Sequence, residues 1–351
     1  MYFKSARVLS GILFLMVCNA QRLGNCNTGS QCKALETCPQ MLDLIKSGNP
    51  ANIQTVRKSI CGFVGRKTKV CCPSKLTGDN PSNPTRDDSK TGEGLLPTKC
   101  GRPVADDKII YGTPSPMGAY PWIAALGYTE HGSGKLAFEC AGAIINSKYV
   151  SVIHLGDYDL ATDRDCEKTG LGLKCFNPHI VAGVEDTISH PKYDTRGRAS
   201  DDIALIRLNL TLDFDSRLAT IEPVCLPPKG FNFKEFAGDR EPVAAGWGWT
   251  EDDKASNILL RANVPIADDA LCKQRYKKNF VGNQLCIGGT KYDTCMGDSG
   301  GPLVMSEENG PPFYQVGIVS FGFFPCGQNR FPGIYTNVAD YRDWIINNIK
   351  P

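Results

Sequence analysis

Hydrophobic and polar positions divide the 351-residue chain into stretches of different character. Residues 1–20 carry Lys4 and Arg7 ahead of a short apolar run, 9–17, and close on Cys18-Asn19-Ala20. About nine to twelve apolar residues are too few to span a bilayer, which needs about 20, so this stretch reads as a secretory signal. Residues 26–72 are dense in cysteine, and Met41-Leu42-Asp43-Leu44-Ile45 predicts a short helix within them. Residues 73–99 are rich in Pro, Gly, Ser, Asn, Asp and Lys, with almost no large apolar side chain. Such a stretch cannot bury enough surface to offset its chain entropy, which predicts a disordered linker. From Ile109 onward the pattern changes to short apolar runs broken by Gly and Pro, at 122–126, 143–145, 203–208 and 316–320. These predict strands. At the end, Val338, Tyr341, Trp344 and Ile345 fall on one face of a helix. An all-β region closed by one helix fits a double β-barrel.

Charge adds an exclusion. The 39 basic and 37 acidic residues give a net charge of +2, which offers no argument for nucleic acid or an anionic membrane as partner. Cysteine adds a compartment. Six of the sixteen, Cys26, Cys32, Cys38, Cys61, Cys71 and Cys72, lie in one short segment. A segment this small cannot build a large core and needs covalent staples, as in exported proteins. Removal of the signal takes Cys18 with it and leaves an odd number, so one thiol is expected to remain unpaired.

Two motifs give the chain a family resemblance. The segment Asp293-Thr294-Cys295-Met296-Gly297-Asp298-Ser299-Gly300-Gly301-Pro302 resembles the nucleophile loop of chymotrypsin-like, trypsin-type serine proteases. The cysteine spacing of 26–72, ending in the Cys71-Cys72 doublet, resembles the clip domain that precedes serine proteases of arthropods. The resemblance implies an all-β fold: a chymotrypsin-like double β-barrel with a C-terminal helix over 109–351, behind a disulfide-rich clip domain and a linker with activation segment, 73–108. It implies Ser299 as nucleophile and the N–H groups of Gly297 and Ser299 as the oxyanion hole. Asp202, in Asp202-Ile203-Ala204-Leu205, matches the aspartate that orients the catalytic histidine, and Asp201 beside it reads as a surface charge. Asp293 matches the base of the primary specificity pocket and Gly322 and Gly333 its walls, which implies substrates with Arg or Lys. Lys108-Ile109 matches the activation bond, and the freed Ile109 amine would pair with Asp298. The implied disulfides are Cys26–Cys71, Cys32–Cys61, Cys38–Cys72, Cys100–Cys225, Cys272–Cys286 and Cys295–Cys326. Cys166 and Cys175 flank one loop and are expected to pair.

The family's general base is the departure. After Cys140-Ala141-Gly142-Ala143-Ile144-Ile145 the family continues through a Leu-Thr-Ala-Ala-His-Cys motif and a surface loop. In this chain Val150 runs straight into Ser151-Val152-Ile153-His154-Leu155-Gly156. About twenty residues of the family pattern are missing, the catalytic histidine among them. The same gap removes the family partner of Cys140, which makes Cys140 the expected free thiol. Four histidines are present, His131, His154, His179 and His190. Each reads as an ordinary solvated or packed side chain, with His154 nearest the gap.

Two weaker signals remain. Asn209-Leu210-Thr211 is a glycosylation sequon. Asp157, Asp159 and Glu185 bracket a loop that resembles a calcium loop of some relatives, and oxygen ligands suit Ca²⁺. No cofactor is otherwise required. The resemblance implies a secreted zymogen in a haemolymph-like fluid or venom. Its expected partners are an upstream activating protease, a downstream zymogen or cytokine precursor and, if active, serpin-type inhibitors, with neither nucleic acid nor membrane. Without the histidine the chain is expected to be inactive as written, as a splice form or imperfect transcript of an active enzyme. The alternative is a non-catalytic homologue that acts as a binding cofactor or decoy.

Overall fold

The computed structural model describes residues 30–46, 60–64, 67–73, 92–104, 113–129, 136–145, 154–170, 172–214, 220–250, 252, 254–327 and 330–350. The expected signal, Cys26, the side chains of Cys32 and Cys61, the Lys108-Ile109 bond, His131 and the junction at 146–153 lie outside the described residues.

The cysteine-rich segment forms three antiparallel strands, β1 (Ser30–Ala34), β2 (Ile60–Val64) and β3 (Lys67–Pro73), in the order β1-β3-β2. The expected helix is α1 (Pro39–Lys46). Its core among the described residues is Cys38, Met41, Val70 and Cys72, with Leu35 against it. So little apolar surface stabilises weakly, and the Cys38–Cys72 disulfide joins the start of the helix to β3.

The rest of the described chain is β-rich, as the broken apolar runs predict. Strands β4 (Thr113–Pro114), β5 (Ile123–Thr129), β6 (Leu136–Ala143) and β7 (His154–Leu155) lead into the hairpin β8 (Cys166–Thr169) and β9 (Gly172–Cys175). Next come β10 (Ile180–Val181), β11 (Val184–Ser189) and β12 (Ala204–Leu208). After α2 (Phe233–Ala237) follow β13 (Val243–Gly246), β14 (Leu260–Asn263), α3 (Asp269–Tyr276) and β15 (Gln284–Gly288). The chain ends with β16 (Pro302–Glu307), β17 (Gly310–Phe321), β18 (Pro332–Asn337) and α4 (Arg342–Asn348). One sheet runs β10-β7-β5-β6, with β11-β12 as a separate pair, and a seven-stranded sheet runs β15-β18-β17-β16-β13-β14-β4. Their inward faces share a core of Trp122, Ile123, Leu155, Leu208, Trp247 and Val304, closed by Val338, Tyr341 and Ile345 from the predicted helical face.

The expected linker is in part a packed segment, which corrects the composition-based reading. Residues 92–95 form a 3₁₀ turn, Leu95 and Leu96 pack against the core, and Glu93 pairs with Arg342. Cys100 is bridged to Cys225, and Gly101 donates its N–H to Pro223 while accepting from Phe313. A covalent anchor lowers the entropy that this segment must lose on ordering, so two leucines suffice.

Cys166–Cys175, Cys272–Cys286 and Cys295–Cys326 are also disulfide-bonded. The expectation for Cys140 is overturned: Cys140 is itself disulfide-bonded, to a partner outside the described residues, and no described cysteine is free. The expectation concerned the chain without Cys18, whereas the complete chain has sixteen cysteines. Cys71 is disulfide-bonded as well, again to a partner outside the described residues.

Candidate active site

The loop before β16 holds Ser299 by main-chain bonds that tie both sheets together. Asp298 N–H donates to Cys295 at 3.1 Å, Gly301 N–H to Asp298 at 2.8 Å and Gly300 N–H to Val319 at 2.8 Å. Ala141 N–H, on β6, donates to the carbonyl of Ser299 at 2.9 Å. At Gly300 φ is +80°, and a Cβ would sit 2.5 Å from the Ala141 carbonyl oxygen, so only glycine lets the loop close this far. Gly297, the other expected oxyanion residue, has φ +97°, again a conformation that favours glycine.

Asp298 is half-buried beside this loop. Its Oδ1 accepts from Gly248 N–H and its Oδ2 from Cys295 N–H, both at 2.9 Å. Burial raises its pKa to about 6 against the pull of those two amides. A carboxylate so placed is a ready partner for a buried ammonium.

Asp202 lies across a cleft from Ser299. Ser320, on β17, donates its hydroxyl to Asp202 Oδ2 at 2.6 Å, and Thr336, on β18, donates to its carbonyl at 2.7 Å. Burial raises its pKa to about 6. Ser299 and Asp202 both line one cavity of about 180 Å³, with Ala141, Ser320, Tyr193 and Leu205. No histidine is among the described residues that line it. His190 is packed between Tyr341 and Trp344, with ring centroids at 5.3 and 5.1 Å. His154 faces Asp157, His179 and Phe138.

Asp201 is not the surface charge that the sequence suggests. It is buried with φ +55°, and Arg196 meets both its carboxylate oxygens at 2.9 Å. Tyr341 donates to Oδ1 at 3.0 Å. Burial pushes its carboxyl upward, but the Arg196 and Tyr341 bonds outweigh it and hold the pKa below the usual range. Two adjacent aspartates thus face opposite ways, and nothing in the sequence separates them except the family match.

Asp293 sits near the two glycines that the sequence singles out. A Cβ on Gly333 would lie 3.5 Å from Asp293 Oδ1, and one on Gly322 would lie 3.7 Å from the Gly333 Cα. Gly288 approaches Asp293 more closely still, with a notional Cβ 2.7 Å from Oδ1, and sequence reasoning missed it. Thr294 N–H donates to Oδ1 at 2.9 Å. Burial outweighs these bonds and raises the Asp293 pKa to about 7. A half-buried carboxylate flanked by glycines rather than by larger side chains suits a long cationic side chain.

The three carboxylates of the expected calcium loop each have a partner among the described residues. Glu185 pairs with Arg207 at 3.2 Å, Asp159 Oδ1 accepts from Ala161 N–H at 3.1 Å, and Asp157 turns to two histidines. The partners differ for the three carboxylates among the described residues. Asn209 is exposed at the end of β12, with its side-chain oxygen accepting from Gly183 N–H at 3.0 Å.

A nucleophile loop and a half-buried aspartate lining one cavity, with a further carboxylate flanked by glycines, on a β-rich domain, are the features of the trypsin-like class of serine protease. The comparisons give the family. The trypsin family model matches residues 109–345, and the model of the regulatory CLIP domain of proteinases matches 21–72. Phenoloxidase-activating factor 1 of Holotrichia diomphalia is 36% identical over 346 residues, covering 92% of this chain and 91% of its own. The Spaetzle-processing enzyme of Drosophila melanogaster is 33% identical over 365 residues, covering 92% and 89%. The crystal structure of the Drosophila Grass clip serine protease of the Toll pathway superposes with a TM-score of 0.63 at 31% identity, covering 91% of this chain and 94% of that one. The chain belongs to the trypsin family and carries an N-terminal clip domain.

Proposed function

We propose that this chain has the architecture of a secreted zymogen with Arg or Lys specificity, activated by cleavage after Lys108, and that as written it has little or no protease activity. The family's working form would cut a downstream zymogen or cytokine precursor in an extracellular immune, melanisation or coagulation cascade. The names of phenoloxidase-activating factor 1 and the Spaetzle-processing enzyme support that range of roles. Specificity rests on Asp293 between glycine walls. Switching rests on Asp298, whose carboxylate would hold the Ile109 amine and so order the neighbouring loop.

One observation carries the inactivity: the cavity of about 180 Å³ that joins Ser299 to Asp202 has no histidine among its described lining residues. A serine hydroxyl is a poor nucleophile unless a base takes its proton. In a complete triad an imidazole would bridge these two residues, taking the Ser299 Oγ proton at one nitrogen and donating from the other to Asp202. Loss of that base alone removes about 10⁶ in turnover, roughly 8 kcal/mol of barrier.

The intact Asp293 recess favours a second reading, in which the chain binds cationic segments without cutting them, as a cofactor or decoy. One experiment separates inactive from active. Hydrolysis of an Arg p-nitroanilide is measured for the chain cleaved at Lys108 and for the same chain with the family's histidine segment inserted after Val150. The inserted form should be faster by several orders of magnitude. Ser299-dependent turnover at ordinary protease rates by the chain as written would refute the proposal.

A further inference from the structure

Three side chains outside the cleft form a cluster that the protease chemistry does not use. His154 is on β7, Asp157 follows two residues after that strand, and His179 immediately precedes β10. Strands β7 and β10 pair through only Ile180–Leu155 and Val181–His154, so the cluster sits where a very short ladder meets its loops. His154 Nδ1 lies 2.8 Å and His179 Nδ1 3.4 Å from the same oxygen, Asp157 Oδ2. One ligand atom from each of the three residues falls within a sphere where all lie within 4.8 Å of one another.

Two features set this apart from a pair of ordinary hydrogen bonds. The imidazoles are stacked, with centroids 4.0 Å apart and planes at 19°, so both present the same nitrogen to one point. The Asp157 side chain is fully buried, yet its Oδ1 has no hydrogen-bond partner among the described residues. A buried carboxylate with one oxygen unpartnered is expensive to keep ionised, and a cation held at Oδ2 between the two imidazoles would offset its charge. Edges of about 3.3 Å are expected between tetrahedral ligands held about 2.0–2.1 Å from a zinc ion; the His179 separation of 3.4 Å matches this and the His154 separation of 2.8 Å is shorter.

The geometry points to a binding site for a divalent first-row transition metal, with His154, Asp157 and His179 as ligands and a water completing the shell. Two imidazoles and one carboxylate suit Zn²⁺ and its neighbours and disfavour Ca²⁺, which takes six to eight oxygens. The metal reading therefore moves from the oxygen loop expected of relatives to a nitrogen-rich site beside it. Each histidine is only 13% exposed, so the ion would be held against the body of the sheet. Its role would be structural, clamping β7 to β10. The inference is independent of whether the protease cleft is active.

The test uses the full chain stripped with EDTA and then titrated with zinc chloride or cobalt(II) chloride. One zinc per chain should remain after gel filtration, the thermal midpoint should rise with zinc, and excess calcium should not displace it. Cobalt(II) should give the intense visible bands of a tetrahedral site. His154→Gln and His179→Gln should each weaken zinc binding at least tenfold. A folded wild-type chain that binds no zinc, or one whose affinity is the same in both variants, would overturn the inference. If a variant fails to fold, the cobalt spectrum of the wild-type chain decides alone: octahedral, weakly absorbing cobalt would refute the site.

Discussion

Asp293 gives the sharpest quantitative test, because its ionisation and its function pull against each other. Burial raises its pKa to about 7 from the ordinary 3.8. The difference is about 3 units, or roughly 4 kcal/mol of unfavourable ionisation when the recess is empty. A benzamidine amidinium stays charged throughout the accessible range and needs the carboxylate, so below pH 7 binding must first remove a proton. Apparent affinity should then fall by one decade per pH unit, giving a loss of about 100-fold between pH 8 and pH 5. The stability linkage has the same origin. A carboxyl whose folded pKa lies above its unfolded value holds extra protons in the native state, so stability falls as pH rises from about 4 to about 7. Asp202 and Asp298, each raised to about 6, act in the same direction. Fluorescent benzamidine titrations of the cleaved chain at pH 5, 6, 7 and 8 measure the first effect. Melts of the wild type and Asp293→Asn over the same range measure the second, and the variant should show the shallower decline. Equal affinity at pH 5 and pH 8, in samples with unchanged circular dichroism, would refute the electrostatic account of the recess.

Replacing Ser299 by Ala in the chain as written should change its residual hydrolysis by less than about tenfold, whereas in the histidine-restored form it should remove about 10⁶, because members of a catalytic unit fail together. Parallel progress curves on all four proteins make that comparison, and a large Ser299→Ala loss in the unrestored chain would contradict it. Arg196→Ala should destabilise the protein by about 2 kcal/mol in urea unfolding, less than the 3–5 kcal/mol of a fully buried pair, because Arg196 is 38% exposed. Tyr341→Phe should cost about 1–2 kcal/mol through the bond lost at Asp201. Values near zero for both would mean that Asp201 is not held by them.

Much of the fold is legible along the chain because strands and turns are written locally. Runs 203–208 and 316–320 fall on β12 and β17, and the Val338-Tyr341-Ile345 face closes the core. The run 143–145 is less informative, since β6 begins at Leu136 and ends at Ala143. Its main stretch, Leu-Ala-Phe-Glu-Cys-Ala-Gly-Ala, mixes small and charged residues. Site residues carried by a motif, such as Ser299 and Asp293, can be singled out from the sequence because the loop itself is local. The residues missed depend on distant partners. Asp201 reads as a surface charge until Arg196 and Tyr341 fold onto it. Ser320 becomes the partner of Asp202 across 118 residues. His154 and His179 stand 25 positions apart and meet only because β7 pairs with β10. Proximity of this kind has no period and no spacing rule.

The Asp201-Asp202 dipeptide also has a bearing on how such a chain could arise. One side chain is fastened to Arg196 and Tyr341, the other to Ser320, and the Asp202 carbonyl to Thr336. These partners sit on the loop before β12, on β17 and β18, and just ahead of α4. The two halves of the domain are thus registered against each other by a rivet that makes no use of the stretch between β6 and β7. A change of length at that stretch is therefore expected to leave the register of the halves intact, which thermal melts of the chain with and without an inserted segment would check.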